Sequence, residues 1–160
     1  MQLKKTNFPG PCGAARRAAL LALTAGLLAA GCSTIDPDAH LAAFSSQMTG
    51  ANQVPPVATQ ATGRVLAMLD RNTLLFRWRV NFNGLSSGTR SGHFHGPATI
   101  GRNAPAVLSF GSLPATDVEG RATLTPEQAA DLLAGKWYAS IHTAAHPAGE
   151  IRGQMILRGE

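Results

Sequence analysis

Four of the five histidines in this chain fall in two short groups whose spacing suits a metal site. The first group is Ser-Gly-His-Phe-His-Gly-Pro at 91–97. Residues two apart in a β-strand point to the same face, so His93 and His95 are expected to project side by side. The second group places His142 at the end of another predicted strand and His146 four residues later in a loop. If the fold brings the two groups together, three or four imidazoles can hold one metal ion.

Copper is the metal that this donor set favours. Imidazole nitrogens suit copper or zinc, and neither a cysteine nor a carboxylate accompanies them in these two groups. An imidazole-only site containing His-x-His in an exported protein favours copper. Because the ligand nitrogens must be deprotonated, the metal affinity should fall as the pH drops through the histidine range. Paired histidines on a strand surface are also common without any role, so incidental histidines remain the alternative.

Other chemistries find little support in the residues. Ser109 lies in Leu-Ser-Phe-Gly, which is not the turn that exposes a nucleophilic serine. The acidic residues are scattered, and no phosphate-binding glycine motif occurs, so a nucleotide ligand is not expected. Whether the protein is an enzyme is left open, and the sequence leans against it.

The amino-terminal segment is typical of an export signal. Residues 1–17 carry positive charge, and residues 18–30 form an apolar run too short to span a bilayer as a helix. The run ends in Ala-Ala-Gly-Cys at 29–32, which resembles a bacterial lipobox. We therefore predict a signal peptide at 1–31, acylation of Cys32, and a polar tether that completes the segment 32–40. An ordinary secretory cleavage site is the alternative.

These features predict a periplasm-facing protein held in the bacterial cell envelope, in contact with the membrane through the lipid on Cys32. Ser33 after the acylated cysteine favours the outer membrane over the inner membrane. With Cys12 removed with the signal and Cys32 acylated, the folded part has no thiol for a disulfide or a metal site.

The net charge of +5 does not indicate a nucleic-acid partner. Four of the 14 basic residues precede the apolar run, and all nine acidic residues follow it. The mature chain therefore keeps ten basic residues against nine acidic ones, a net charge of +1. Such a balance does not predict the strongly basic face that nucleic-acid binding requires.

The elements that must position the histidines are short strands with two-residue periodicity. In the hairpin of the second and third strands, we expect Leu66 and Met68 to share the buried face with Phe76 and Trp78. A capping box at Thr125 to Gln128 predicts one short helix near residues 126–134. The fold class is therefore all-β, an antiparallel Greek-key sandwich or flattened barrel of about eight strands. The predicted strands are Leu41–Thr49, Gly63–Asp70, Thr73–Phe82, Ser91–His95, Ala106–Phe110, Glu119–Leu124, Trp137–Thr143 and Ile151–Arg158.

Five further features stand in order along the chain: Met-Thr-Gly-Ala-Asn-Gln-Val-Pro-Pro-Val at 48–57, the strand at Gly63, Gly-His-Phe-His-Gly-Pro-Ala at 92–98, Tyr-Ala-Ser-Ile-His-Thr at 138–143 and Pro-Ala-Gly-Glu-Ile-Arg-Gly-Gln at 147–154. Together these segments resemble the CHRD domain, the module named after chordin and also found alone in exported bacterial proteins. The resemblance covers about Phe44 to Leu157, and it implies one β-domain over residues 41–160. The resemblance implies a fold more readily than a function. In chordin-like proteins the module is regarded as an interaction domain.

A fainter similarity connects the histidine segments with the copper,zinc superoxide dismutases. Gly-His-Phe-His at 92–95 resembles their copper strand, and Ser-Ile-His at 140–142 resembles a later strand that supplies another ligand. This resemblance implies His93, His95 and His142 as copper ligands, with Arg152 near the open face. The counterpart of the dismutase zinc loop is missing between residues 96 and 114, so no zinc site is expected. Glu150 and Arg152 could instead simply pair across the sheet.

Three functions follow from the sequence, in order of preference. The first is a lipid-anchored copper-binding protein for storage, delivery or buffering, with a copper-handling protein as partner. His93, His95 and His142 would bind the ion, and His146 could complete the site. The second is an interaction or structural module with incidental histidines, and the third is a dismutase-like redox enzyme.

Overall fold

The computed structural model describes residues 38–113 and 116–159, and these belong to one compact unit. The predicted all-β antiparallel architecture with one short helix is confirmed. A single 3₁₀ turn at Gly50–Asn52 follows the first strand. The strands are β1 (Leu41–Thr49), β2 (Thr62–Asp70), β3 (Leu75–Asn83), β4 (Thr89–His95), β5 (Ala106–Ser109), β6 (Asp117–Thr123), β7 (Tyr138–Thr143), β8 (Ile151–Gln154) and β9 (Ile156–Leu157), and the helix α1 is Pro126–Leu133.

The strands form one curled sheet, a half-barrel with the order β5-β4-β7-β8-β1-β2-β3-β6. Strands β1, β2 and β3 follow one another as antiparallel neighbours, whereas β4 crosses to the opposite half and pairs with β7. Strands β4 and β7, which carry the histidines, are therefore adjacent although they are far apart in sequence.

The curl brings the two halves of the sheet face to face around an aromatic core. The ring centroid of Phe94 on β4 lies 5.3 Å from that of Phe76 and 5.5 Å from that of Trp78, both on β3. Trp137, just before β7, is 1% exposed and packs edge-on against Phe76. Because Phe94 alternates with the two histidines of β4, its burial directs His93 and His95 to the outer face.

The sequence-based interpretation of β2 was wrong about two side chains. Val65 and Leu69 are fully buried, whereas Leu66 is 39% exposed and Met68 is 44% exposed on the outer face. Pairing explains this, because the register aligns Leu66 with the outward Arg79 of β3. The two-residue alternation of β2 therefore holds, but the residues that face the core are Val65, Ala67 and Leu69.

The last predicted strand, Ile151–Arg158, is broken in two at Met155. Strand β8 pairs with β7, while β9 pairs with β1 only. Met155 between them is fully buried, and its backbone N–H donates to the carbonyl of Trp137 at 2.9 Å. The chain changes neighbours at this residue, which ends the first ladder.

Helix α1 begins as the sequence predicts. The Thr125 hydroxyl accepts a hydrogen bond from the backbone N–H of Gln128 at 3.2 Å, and the Gln128 side chain accepts one from the N–H of Thr125 at 3.0 Å. Two backbone N–H groups at the start of the helix, which have no acceptor within the helix itself, thereby gain a hydrogen-bond partner. Leu132 buries the inner face, and Gly135 takes a positive φ of 69° after the last turn.

The predicted signal peptide, Cys32 and residues 33–37 of the tether lie outside the described residues. Within the described part of the chain, no helix is long and apolar enough to cross a membrane.

Candidate metal centre

The pairing of β4 with β7 places three histidines on one face of the sheet. His95 lies opposite Tyr138, His93 lies opposite Ser140, and Ser91 lies opposite His142. His93 and His142 are therefore diagonal neighbours on adjacent strands, close enough for ring contact. The sheet register therefore brings His142 close to His93 and His95, although 47 residues separate His95 from His142.

The nitrogens of the three imidazoles lie close enough together to bind one metal ion. One nitrogen from each of His93, His95 and His142 lies within 4.8 Å of the other two. The ring centroid of His93 lies 5.8 Å from that of His95 and 5.6 Å from that of His142. All three side chains are partly buried, so the group remains reachable from solvent.

Two backbone carbonyls determine which nitrogens face the group. The Nδ1 atom of His95 lies 3.0 Å from the carbonyl of Ala104, and Nδ1 of His142 lies 3.1 Å from that of Pro147. A carbonyl can only accept, so Nδ1 is the donor in both rings, and in the neutral ring Nε2 then keeps its lone pair. A hydrogen bond to the distal nitrogen is also what orients metal-bound histidines in proteins.

The two lone-pair nitrogens are close to each other. Nε2 of His95 and Nε2 of His142 are 3.4 Å apart. Two neutral acceptors repel at this distance unless a proton or a cation lies between them. Two nitrogens that are each about 2.05 Å from a tetrahedral ion are separated by about 3.3 Å, so this pair already has the spacing of two ligands.

The environment lowers the proton affinity of the site. Burial is the largest cause that lowers the pKa of His95 from 6.5 to about 4. The hydrogen bond to Ala104 opposes this shift, while the charges of His142, His93 and Arg152 add to it. Burial, followed by the charge of His142, also lowers the pKa of His93. Protons therefore compete weakly for these two ligands at neutral pH.

Tyr138, the only tyrosine of the chain, supports His95, and the sequence analysis did not identify this role. Its ring stacks on that of His95 with centroids 4.8 Å apart and an angle of 3° between the planes. Its hydroxyl donates to the carbonyl of Ala104 at 3.2 Å and accepts from the N–H of Ala104 at 3.1 Å. The same carbonyl orients His95, so Tyr138 positions both the ring and its hydrogen-bond partner. A tyrosine four residues before His142 on the same strand face was the available signal.

Arg152 contacts Tyr138, and Tyr138 in turn stacks on His95. It is 2% exposed, and its guanidinium carbon lies 3.5 Å from the centroid of the Tyr138 ring. Its nitrogens donate to Oδ1 of Asn103 at 2.8 Å and to the carbonyl of Arg102 at 2.6 Å. Arg152 thus fastens the 102–104 loop, whose Ala104 carbonyl orients His95.

The cross-sheet pairing of Glu150 with Arg152 is wrong. Glu150 is fully buried, and its carboxylate instead accepts hydrogen bonds from Thr143, Thr59 and both the N–H and the hydroxyl of Ser86 at 2.7 to 2.9 Å. Burial on its own would raise the pKa of Glu150, but these hydrogen bonds outweigh it and hold the pKa below its ordinary value. These hydrogen bonds connect the segments that contain Thr59, Ser86 and Glu150 to Thr143, which ends β7 next to His142.

His146 is not a member of the converging group in the described part of the chain. It is partly buried in the loop after β7, where its carbonyl accepts from the N–H groups of Thr143 and Gly149. The structure therefore joins His93, His95 and His142, while His146 as a fourth ligand stays a prediction.

The comparisons with known proteins agree with the fold. Searches of curated proteins and of solved structures gave no significant match, so the similarity to dismutases stays a sequence-based expectation. The family model of the CHRD domain matches residues 44–155, which is most of the chain and includes every strand of the histidine face. The chain therefore belongs to the CHRD domain family.

Proposed function

We propose that this chain is a lipid-anchored protein of the bacterial envelope that binds one copper ion through His93, His95 and His142. Its role would be copper storage, delivery or buffering. The observation that carries the proposal is the pair of Nε2 atoms from His95 and His142, 3.4 Å apart, each set as an acceptor by a carbonyl behind it. Such a pair is stabilised by a cation placed between the two nitrogens.

The donor set supports copper. Three imidazoles without a carboxylate or thiolate in the group form a neutral ligand set, and divalent copper binds such nitrogen sites more tightly than the other common divalent metals do. The partial exposure of all three side chains leaves one side open. An open side allows transfer of the ion to a copper-handling protein partner.

The anchor is the second part of the proposal. The lipobox-like Ala-Ala-Gly-Cys at 29–32 supports acylation of Cys32 and a periplasm-facing position, and Ser33 after it favours the outer membrane over the inner. Metabolic labelling with a fatty acid tests this, because label should enter the exported protein and be absent from the Cys32→Ser variant.

Titration with copper tests the site. We expect the purified exported protein to bind Cu(II) or Cu(I) with one-to-one stoichiometry in competition with a chromogenic chelator. His93→Ala and His142→Ala should each weaken the affinity at least 100-fold, since loss of a ligand exceeds the 10- to 100-fold cost of losing an outer-shell partner. His146→Ala tests whether that residue completes the site.

His40→Ala is the matched control, because His40 lies near Asp70, outside the group, and its removal should leave the affinity unchanged. Weak binding without a defined stoichiometry, equal in all four variants, would contradict the copper site. That result would favour an interaction module with incidental histidines.

A further inference from the structure

The outer face of β2, β3 and β6 combines arginines with exposed apolar side chains. Met68, Arg77 and Arg121 form one row across these strands, because Met68 pairs with Arg77 and Arg77 pairs with Arg121. Leu66 flanks this row, and Ile156 of β9, 52% exposed, continues the face beyond β1. We call Leu66, Met68, Arg77 and Arg121 the outer patch. These four residues line a shallow depression of about 700 Å³ together with Glu119, whose carboxylate is paired with Arg79.

The charges of the outer patch are not neutralised within the described residues. Arg79 on the same face is paired with Glu119 at 2.7 Å and with Asp117 at 3.3 Å. Arg77 and Arg121, by contrast, are opposed directly and have no ion pair in the described part of the chain. Two like charges in a cross-strand pair destabilise the sheet, and an external anion would relieve the repulsion.

The outer patch lies at the end of the sheet where the predicted tether enters. Leu41, the first residue of β1, pairs with Asp70 at the end of β2, two residues from Met68. The Arg71 guanidinium adds a further cation here, donating to the carbonyl of Ala39 at 3.3 Å. Eight residues separate Cys32 from Leu41, so a lipid on Cys32 would hold this end within about 30 Å of the headgroups.

We propose that the outer patch binds the surface of a membrane that contains anionic phospholipids. Arg77 and Arg121 would contact headgroup phosphates, while Leu66 and Met68 enter the interface. This orientation rests on the proposed anchor at Cys32. It would direct the histidine group away from the membrane, since β4 packs Phe94 against Phe76 and Trp78 of β3 across the core, so the outer faces of these two strands point in opposite directions.

Vesicle sedimentation of the unacylated segment 33–160 tests the outer patch separately from the lipid anchor. This segment is suitable because it contains the whole aromatic core and every described strand. We expect it to bind vesicles of phosphatidylcholine with phosphatidylglycerol and not vesicles of phosphatidylcholine alone. Arg77→Gln combined with Arg121→Gln should lower the partition coefficient about tenfold or more. Binding should also weaken with added salt.

The matched control removes two positive charges elsewhere, through Arg90→Gln combined with Lys136→Gln, and should keep most of the binding. Equal losses in the two double variants, or no binding to anionic vesicles, would overturn the proposal. Binding to polyglutamate without binding to vesicles would also overturn it and indicate an acidic protein surface instead. Circular dichroism checks that each variant is folded. Copper and Cys32 take no part, so failure here leaves the proposed copper site and anchor untouched.

Discussion

Lowering the pH from 7.5 to 4.5 should destabilise the metal-free protein by about 2 kcal/mol through His95 alone. In the unfolded chain this imidazole titrates near 6.5, whereas burial lowers its pKa in the folded protein to about 4. Between these values the unfolded state binds a proton that the folded state does not bind. The contribution of His95 to stability is therefore complete above pH 6.5 and is lost as the pH falls toward 4.

The magnitude follows from the two pKa values. At about 1.4 kcal/mol for each pH unit, their difference sets an upper limit of about 3.5 kcal/mol, of which about 2.5 kcal/mol is reached at pH 4.5. Partial exposure of the ring reduces this further, because solvent screens the neighbouring charges. We therefore expect about 2 kcal/mol.

Urea unfolding in the presence of a chelator measures the effect, with the fluorescence of buried Trp78 and Trp137 as the signal. The comparison is between wild type and His95→Gln, which keeps a polar side chain but cannot titrate. The free energy of unfolding of the variant should change between the two pH values by about 2 kcal/mol less than that of wild type. His40→Gln, outside the histidine group, is the control and should behave like wild type. An acid dependence in His95→Gln equal to that of wild type would refute the reasoning.

Two further predictions concern residues that support the site. Glu150→Gln should lower the free energy of unfolding by about 3 kcal/mol at pH 7, because a buried carboxylate that accepts four hydrogen bonds becomes a neutral amide. Since its folded pKa is depressed, this loss should shrink as the pH falls below about 4.5, and urea unfolding at pH 7 and pH 3.5 checks the trend. Tyr138→Phe should keep the stacking on His95 but remove the hydroxyl that holds Ala104, which weakens copper binding about tenfold with little change in the free energy of unfolding. Unchanged affinity in that variant would show that the hydroxyl does not position the ligand.

Local sequence patterns were sufficient where neighbouring residues decide the structure. The capping box of α1 satisfies its donors within four residues, so Thr125 and Gln128 predict the helix start without reference to the rest of the chain. The alternation around Phe94 likewise predicts that His93 and His95 share a face.

The same local rules failed where apolar side chains occur on both faces of a strand. In β2 either Leu66 and Met68 or Val65 and Leu69 could face the core, and only the pairing register with β3 selects the second pair. The break at Met155 is of the same kind, because it depends on which strands lie on either side.

The sequence by itself determined the strand-rich class, the short helix, the CHRD membership and the types of side chain available for metal binding. Tertiary structure alone decided that His142 lies beside His95, that carbonyls of Ala104 and Pro147 select the inward nitrogens, and that Tyr138 supports the site. The physical reason is the range of the interactions. Alternation and capping act over a few residues, whereas the position of β7 beside β4 depends on the packing of the whole sheet.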